Sequence, residues 1–133
     1  AKRITTSRRT DADRAELTAG TTALRTEIDA LARDTTVAAL LPDVEIFHKA
    51  VAWALADDTF YSPKEIAFAK HLLAVGRERA AQLRAKNAPW LQARGLIVRG
   101  YRSKLDGSVQ PYGLVINLDV DPSVPTPLMV WLL

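Results

Sequence analysis

Two histidines, His48 and His71, are the only imidazoles in a chain of 133 residues that contains no cysteine. Disulfides, thiolate metal sites and cysteine nucleophiles are therefore excluded, and any chemistry must come from imidazole, carboxylate, hydroxyl or guanidinium groups. Neither histidine has a second one at ligand spacing. His48 falls at the flank of an apolar helical face and His71 on the charged side of its own helix, so both read as structural or solvent-facing rather than as ligands or bases. Asp57-Asp58 and Asp119-Val120-Asp121 are carboxylate pairs of the kind that hold a hard cation or form an acid/base couple. One sits where a helix ends and the other in a loop before Pro122, and cap and turn roles explain both. Serines occur at 7, 62, 103, 108 and 123, none flanked as Gly-x-Ser-x-Gly; no nucleophile elbow is present. No residue is assigned a catalytic, cofactor-binding or metal-ligating role.

Basic residues gather at Arg77, Arg79, Arg84, Lys86, Arg94, Arg99, Arg102 and Lys104. Such a stretch can bind phosphates. Glu78 interrupts it, however, and no aromatic series lies nearby for base stacking, so a solvated face or a seam with another domain is the stronger reading. Trp53, Trp90 and Trp131 each sit in an apolar local pattern, which predicts core packing rather than a ligand cage. The overall balance agrees. A hydrophobic content of 48%, a charged content of 25% and a net charge of +3 describe one compact unit with a modest basic excess. No apolar run reaches the roughly 20 residues of a membrane helix. The start, Ala1-Lys2-Arg3-Ile4, has neither an initiator Met nor an apolar signal core, so an N-terminus made by processing or by choice of the expressed segment is expected. The compartment stays open.

The elements that must position these groups follow from periodicity. Residues 1–9 are basic and aperiodic, a loose tail. Thr10 with Asp13 has the form of a capping box, and Leu17, Leu24, Ile28 and Leu31 then recur on one helical stripe that runs to about Arg33, with Gly20 weakening its first half. Pro42-Asp43 opens a second helix. Val44, Phe47, Val51 and Leu55 form one of its faces, and Ile46 and Trp53 lie on the opposite side, so it is expected to be largely buried. Ser62-Pro63-Lys64-Glu65 is the clearest local signal, a hydroxyl N-cap with proline at the first helical position and Glu at the third. Ile66, Ala69, Leu73, Ala80 and Leu83 continue that third helix until Pro89 stops it.

Beyond Pro89 the period becomes extended. Leu96-Ile97-Val98 and Tyr101 lead to a turn in which Asp106-Gly107 supplies positive φ, and Val109 to Ile116 returns as the partner strand, with Pro111 marking an edge or bulge. Leu128-Met129-Val130-Trp131-Leu132-Leu133 follows a loop carrying Pro122, Pro125 and Pro127. Six consecutive apolar residues without alternation are the pattern of a strand covered on both faces. The expected organisation is an α+β segment: a tail (1–9), a helical region of about three helices (10–88), and a hairpin plus a third strand (89–133) that together form an incomplete domain.

The run Ser103-Lys104-Leu105-Asp106-Gly107-Ser108-Val109-Gln110-Pro111-Tyr112, with the strand at Leu128 to Leu132 after it, resembles the opening of esterase-type and prolyl-oligopeptidase-like α/β-hydrolases. The match rests on Ser103, Asp106, Gly107, Pro111 and Tyr112. The stretch from Leu41 to Val51 and the Phe60-Tyr61-Ser62-Pro63-Lys64-Glu65 cap are similar to the helical prelude of a subset of the family, so the resemblance covers roughly residues 40 to 133. It implies the first three strands of a hydrolase sheet, a His-Gly oxyanion motif just past Leu133, and a serine nucleophile, Asp and His later in the parent chain. None of those triad roles transfers to a residue here. The expected partner is the remainder of the hydrolase domain, or a second copy, through Leu128–Leu133. The rivals are a self-contained α+β interaction module that oligomerises and a basic nucleic-acid-binding domain.

Overall fold

The computed structural model describes residues 10–132, which form three helices followed by an antiparallel hairpin. The tail expected at 1–9 lies outside the described residues. Helix α1 (Asp11–Leu31) starts as its capping box requires: the Asp13 amide donates to Thr10 Oγ1 at 3.0 Å, and Asp13 Oδ2 accepts from the Thr10 amide at 3.4 Å. Leu17, Leu24, Ile28 and Leu31 are buried on one stripe, as the spacing predicts.

A 3-10 turn at Ala38–Leu40 leads into α2 (Pro42–Ala56), which has Pro42 at its first position and no side-chain cap. Helix α3 (Pro63–Arg84) carries the expected box. Glu65 Oε2 accepts from the amides of Tyr61 at 2.5 Å and Ser62 at 3.1 Å. Ile66, Ala69, Leu73, Ala80 and Leu83 are all buried. The helix ends at Arg84, ahead of Pro89. Lys86 takes the left-handed conformation (φ 58°) just past the end and reverses the chain direction, a stop that needs no proline.

The strands are β1 (Gly95–Arg102) and β2 (Val109–Ile116), paired in register from Gly95 with Ile116 to Arg102 with Val109. Only Gly107 of the Asp-Gly pair has positive φ, at 72°. The connection is closed by the Ser103 amide donating to Ser108 O at 2.8 Å and the Gly107 amide to Ser103 O at 3.0 Å, a longer loop than the two-residue turn that Asp-Gly suggests. Pro111 sits opposite Gly100. The Gly100 amide donates out of the ladder to Asp43 Oδ1 at 2.7 Å, so this pair is of the kind that exchanges no bonds, and proline loses nothing there.

Helix α2 is the centre of the packing, touching α1, α3, β1 and β2. Three expectations need correction. The third strand expected at Leu128–Leu133 does not form: residues 128–132 belong to no helix or strand and make no ladder bonds, and Leu133 lies outside the described residues. An interior strand exists only when a neighbour meets each of its edges, and among the described residues none does. Trp131 is accordingly 79% exposed rather than in the core. Trp53 is also exposed, at 62%, although Ile46 on the same side of α2 is buried. Ile46 lies beneath the Gly100 backbone. Trp53 is seven residues on, about 10 Å further along the axis, where the Lys49 ammonium lies over its ring at 4.3 Å. Of the three tryptophans only Trp90 packs in the core.

Candidate functional site

The described residues converge most tightly at the N-terminal end of α2. Asp43 is 1% exposed, the one charged side chain among the described residues that is fully buried. Its carboxylate accepts from Trp90 Nε1 at 2.9 Å, from Arg99 Nε at 2.9 Å to each oxygen, and from the Gly100 amide at 2.7 Å. A buried carboxylate is tolerable only when charge and lone pairs are both met, and here one guanidinium, one indole and one amide meet them. Arg79 completes the cluster. Its Nη1 donates to the Asp43 carbonyl at 3.1 Å, and its guanidinium lies between the rings of Phe47 and Trp90, 4.9 and 5.0 Å from their centroids. Burial, opposed by the Asp43 charge, pushes the Arg79 pKa below its usual value.

The sequence shows Asp43 only as a first-turn acid. Its real partners lie 47 to 57 positions away, at Trp90, Arg99 and Gly100. The available signal is compositional: an acid inside the apolar run Leu40-Leu41-Pro42-Asp43-Val44-Glu45-Ile46-Phe47 of a helix expected to be buried has to find a partner.

The remaining candidates make local contacts or face solvent. Asp57 caps α2 through its backbone, and Asp121 accepts from the Ser123 amide at 2.9 Å and hydroxyl at 2.7 Å. The turn acid Asp106 does the same with Ser108, whose hydroxyl and amide hold its carboxyl below the usual range. His71 is exposed, with its ring 6.5 Å from that of Phe68. His48 is half-buried, and its pKa is lowered by burial and then by Arg25, against the opposing pull of Asp29 and Glu45. No group of three His, Asp or Glu side chains among the described residues is placed to hold a metal ion.

The basic residues are largely spent inside the chain. Arg77 and Arg84 reach Glu27 at 3.4 and 3.5 Å, Arg102 reaches Glu45 at 2.5 Å, and Lys86 pairs with Asp34. No described helix is long and apolar enough to cross a membrane.

Beside the cluster, a groove of about 300 Å³ opens between α2 and the start of β2, lined by Ile46, Lys49, Ala50, Trp53 and Pro111. Lys49 Nζ donates to Val109 O at 2.6 Å across it. The residues of the hydrolase-like pattern come together at the hairpin tip and along β2: Ser103, Asp106 and Gly107 build the loop, while Tyr112 stands edge-on to Tyr101 with ring centroids 5.9 Å apart. Comparison with protein-family models, curated proteins and solved structures returns no match.

Proposed function

We propose that this chain is the non-catalytic N-terminal portion of a serine hydrolase of the esterase or prolyl-oligopeptidase-like type. In this reading the hairpin forms the edge of the catalytic sheet. Leu128 to Leu132 supply the strand that leads to the oxyanion hole, and the three helices cover one side of the assembly. What supports it is exposed apolar surface on the last segment and on the outward face of the hairpin. Leu128, Met129, Val130, Trp131 and Leu132 are 67–91% exposed, and the cross-strand pair Leu96 and Val115 is 76% and 75% exposed on the hairpin's outward face. Burying side chains of this size is worth roughly 1.5–3 kcal/mol each. A surface that forgoes this at so many neighbouring positions fits a docking face for further sheet. The Ser103, Asp106, Gly107, Pro111 and Tyr112 pattern supports the same identification.

The test is the parent gene product. Its coding sequence is expected to continue past Leu133 into a His-Gly pair and, further on, a Gly-x-Ser-x-Gly elbow. The full-length product should then be labelled by a fluorophosphonate that leaves the 133-residue chain unlabelled. A continuation lacking either motif, or a full-length product that resists labelling, ends the proposal. The same exposed run also favours a second reading, an interaction module that pairs with its own copy. That reading requires a single defined oligomer by light scattering, whereas a sheet fragment associates without a fixed stoichiometry.

A further inference from the structure

Hydrophobic burial does little to attach the hairpin. Of its residues only Ile97 is among the buried apolar side chains, with Val109, Leu114 and Ile116 partly covered; the rest of that core comes from the helices and the segments joining them. An isolated two-stranded hairpin is marginal in water, so this one depends on its contacts with the helices, and its few core side chains leave much of that to polar contacts. A polar seam along the first half of α2 supplies them. Asp43 binds Arg99 and Gly100, Glu45 accepts from Arg102 Nη2 at 2.5 Å, and Lys49 donates to Val109 O at 2.6 Å. The two backbones meet so closely that a Cβ on Gly100 would sit 2.1 Å from the Pro42 carbonyl oxygen.

We propose that Asp43 is a latch: it docks the hairpin, as a separately opening unit, onto a helical unit that stays folded without it. The carboxylate is the only member of the seam that is fully buried, and it ties three separate parts of the chain, α2, the turn bearing Trp90 and β1, to one point. Removing one partner of such a buried charge is far more disruptive than losing an exposed ion pair. The loss should fall on the element that has least else to hold it. The latch thereby sets the direction in which the free strand edges and the Leu96/Val115 face point. This inference does not depend on the hydrolase reading.

The test is site-resolved amide hydrogen exchange on the full 133-residue chain. In Asp43→Asn, protected amides of 95–116 should exchange on the order of a hundredfold faster. Amides of α1 and α3 near the fully buried Leu24 and Ala80 should stay within about threefold of the parent. The Trp90 indole N–H resonance should shift as its charged acceptor is lost. Arg99→Gln, which leaves the Asp43 charge buried without its guanidinium, should give the same pattern at equal or larger amplitude, and the double variant should be no worse than Arg99→Gln alone. Equal acceleration in helices and hairpin, an unchanged hairpin, or failure of both single variants to fold would each overturn the latch, the last because it would show that the helical unit itself depends on the seam.

Discussion

Gly100 and Gly20 both occupy tight places, and they differ by what stands opposite. At Gly100 the obstacle is backbone, the Pro42 carbonyl, which cannot move without moving the start of α2. Gly100→Ala is therefore expected to destabilise the chain by about 2 kcal/mol or more, read as a lower denaturant midpoint at unchanged slope. At Gly20 the nearest atom is the tip of the Leu73 side chain, 2.9 Å from the Cβ site, which can turn aside. There helix propensity decides, and Gly20→Ala should stabilise by roughly 0.5–1 kcal/mol. A loss at Gly20 equal to that at Gly100 would refute this distinction. His48 gives the pH prediction. Burial and Arg25 lower its pKa in the fold from the ordinary 6.5, so the unfolded chain takes up the proton first as pH falls. Its contribution is intact above that value and drains away below it, toward the folded value. His48→Gln should thus lose less stability than the parent between about pH 7 and pH 5, by under about 1 kcal/mol given its solvent contact. Parallel stability curves would assign the acid sensitivity elsewhere.

Among the elements, α3 depends most visibly on its first turn. Glu65 is the acceptor for two amides, Tyr61 and Ser62, that have no intrahelical partner. Glu65→Ala is expected to cost about 1 kcal/mol, with Lys64→Ala, an exposed neighbour, near zero. Comparing the two by thermal unfolding separates the cap from a general loss of surface charge. Helix α1 is tied to α3 at the same level by Lys70, which reaches Asp13 at 3.1 Å and Glu16 at 2.6 Å and so joins one helix's first turns to the other's flank. Cap and tie lie close together, where the chain would otherwise fray.

For the molecule as a whole, the exposed apolar run at 128–132 is expected to dominate solution behaviour. Replacing Leu128, Val130 and Leu132 with serine should sharply reduce light scattering and dye binding to apolar surface, while shifting the unfolding free energy by no more than about 0.5 kcal/mol. A large drop in stability would instead mean that the run is buried in solution. The helical unit has its own core and the hairpin does not, so unfolding should also reveal two steps where the seam is weakened.

Local periodicity and punctuation carried the three helices, both capping boxes, the stripes of α1 and α3, and both hairpin strands, because each depends on neighbours within about four residues or on a single turn. Where Arg84 ends α3 rests on the left-handed Lys86, which no residue type announces. That Trp90 is buried while Trp53 and Trp131 are exposed was invisible in sequence, since all three share an apolar context and differ only in what lies across from them. The six apolar residues at the end specify a strand's composition but not its partners, and a strand is made by partners. The Asp43 cluster is the plainest case. Its carboxylate is written into the chain as a helix opener, yet its role comes from an indole, a guanidinium and an amide that only the folded backbone brings to within 3 Å. Electrostatics of that kind acts across space, and the order of residues records only distance along the chain.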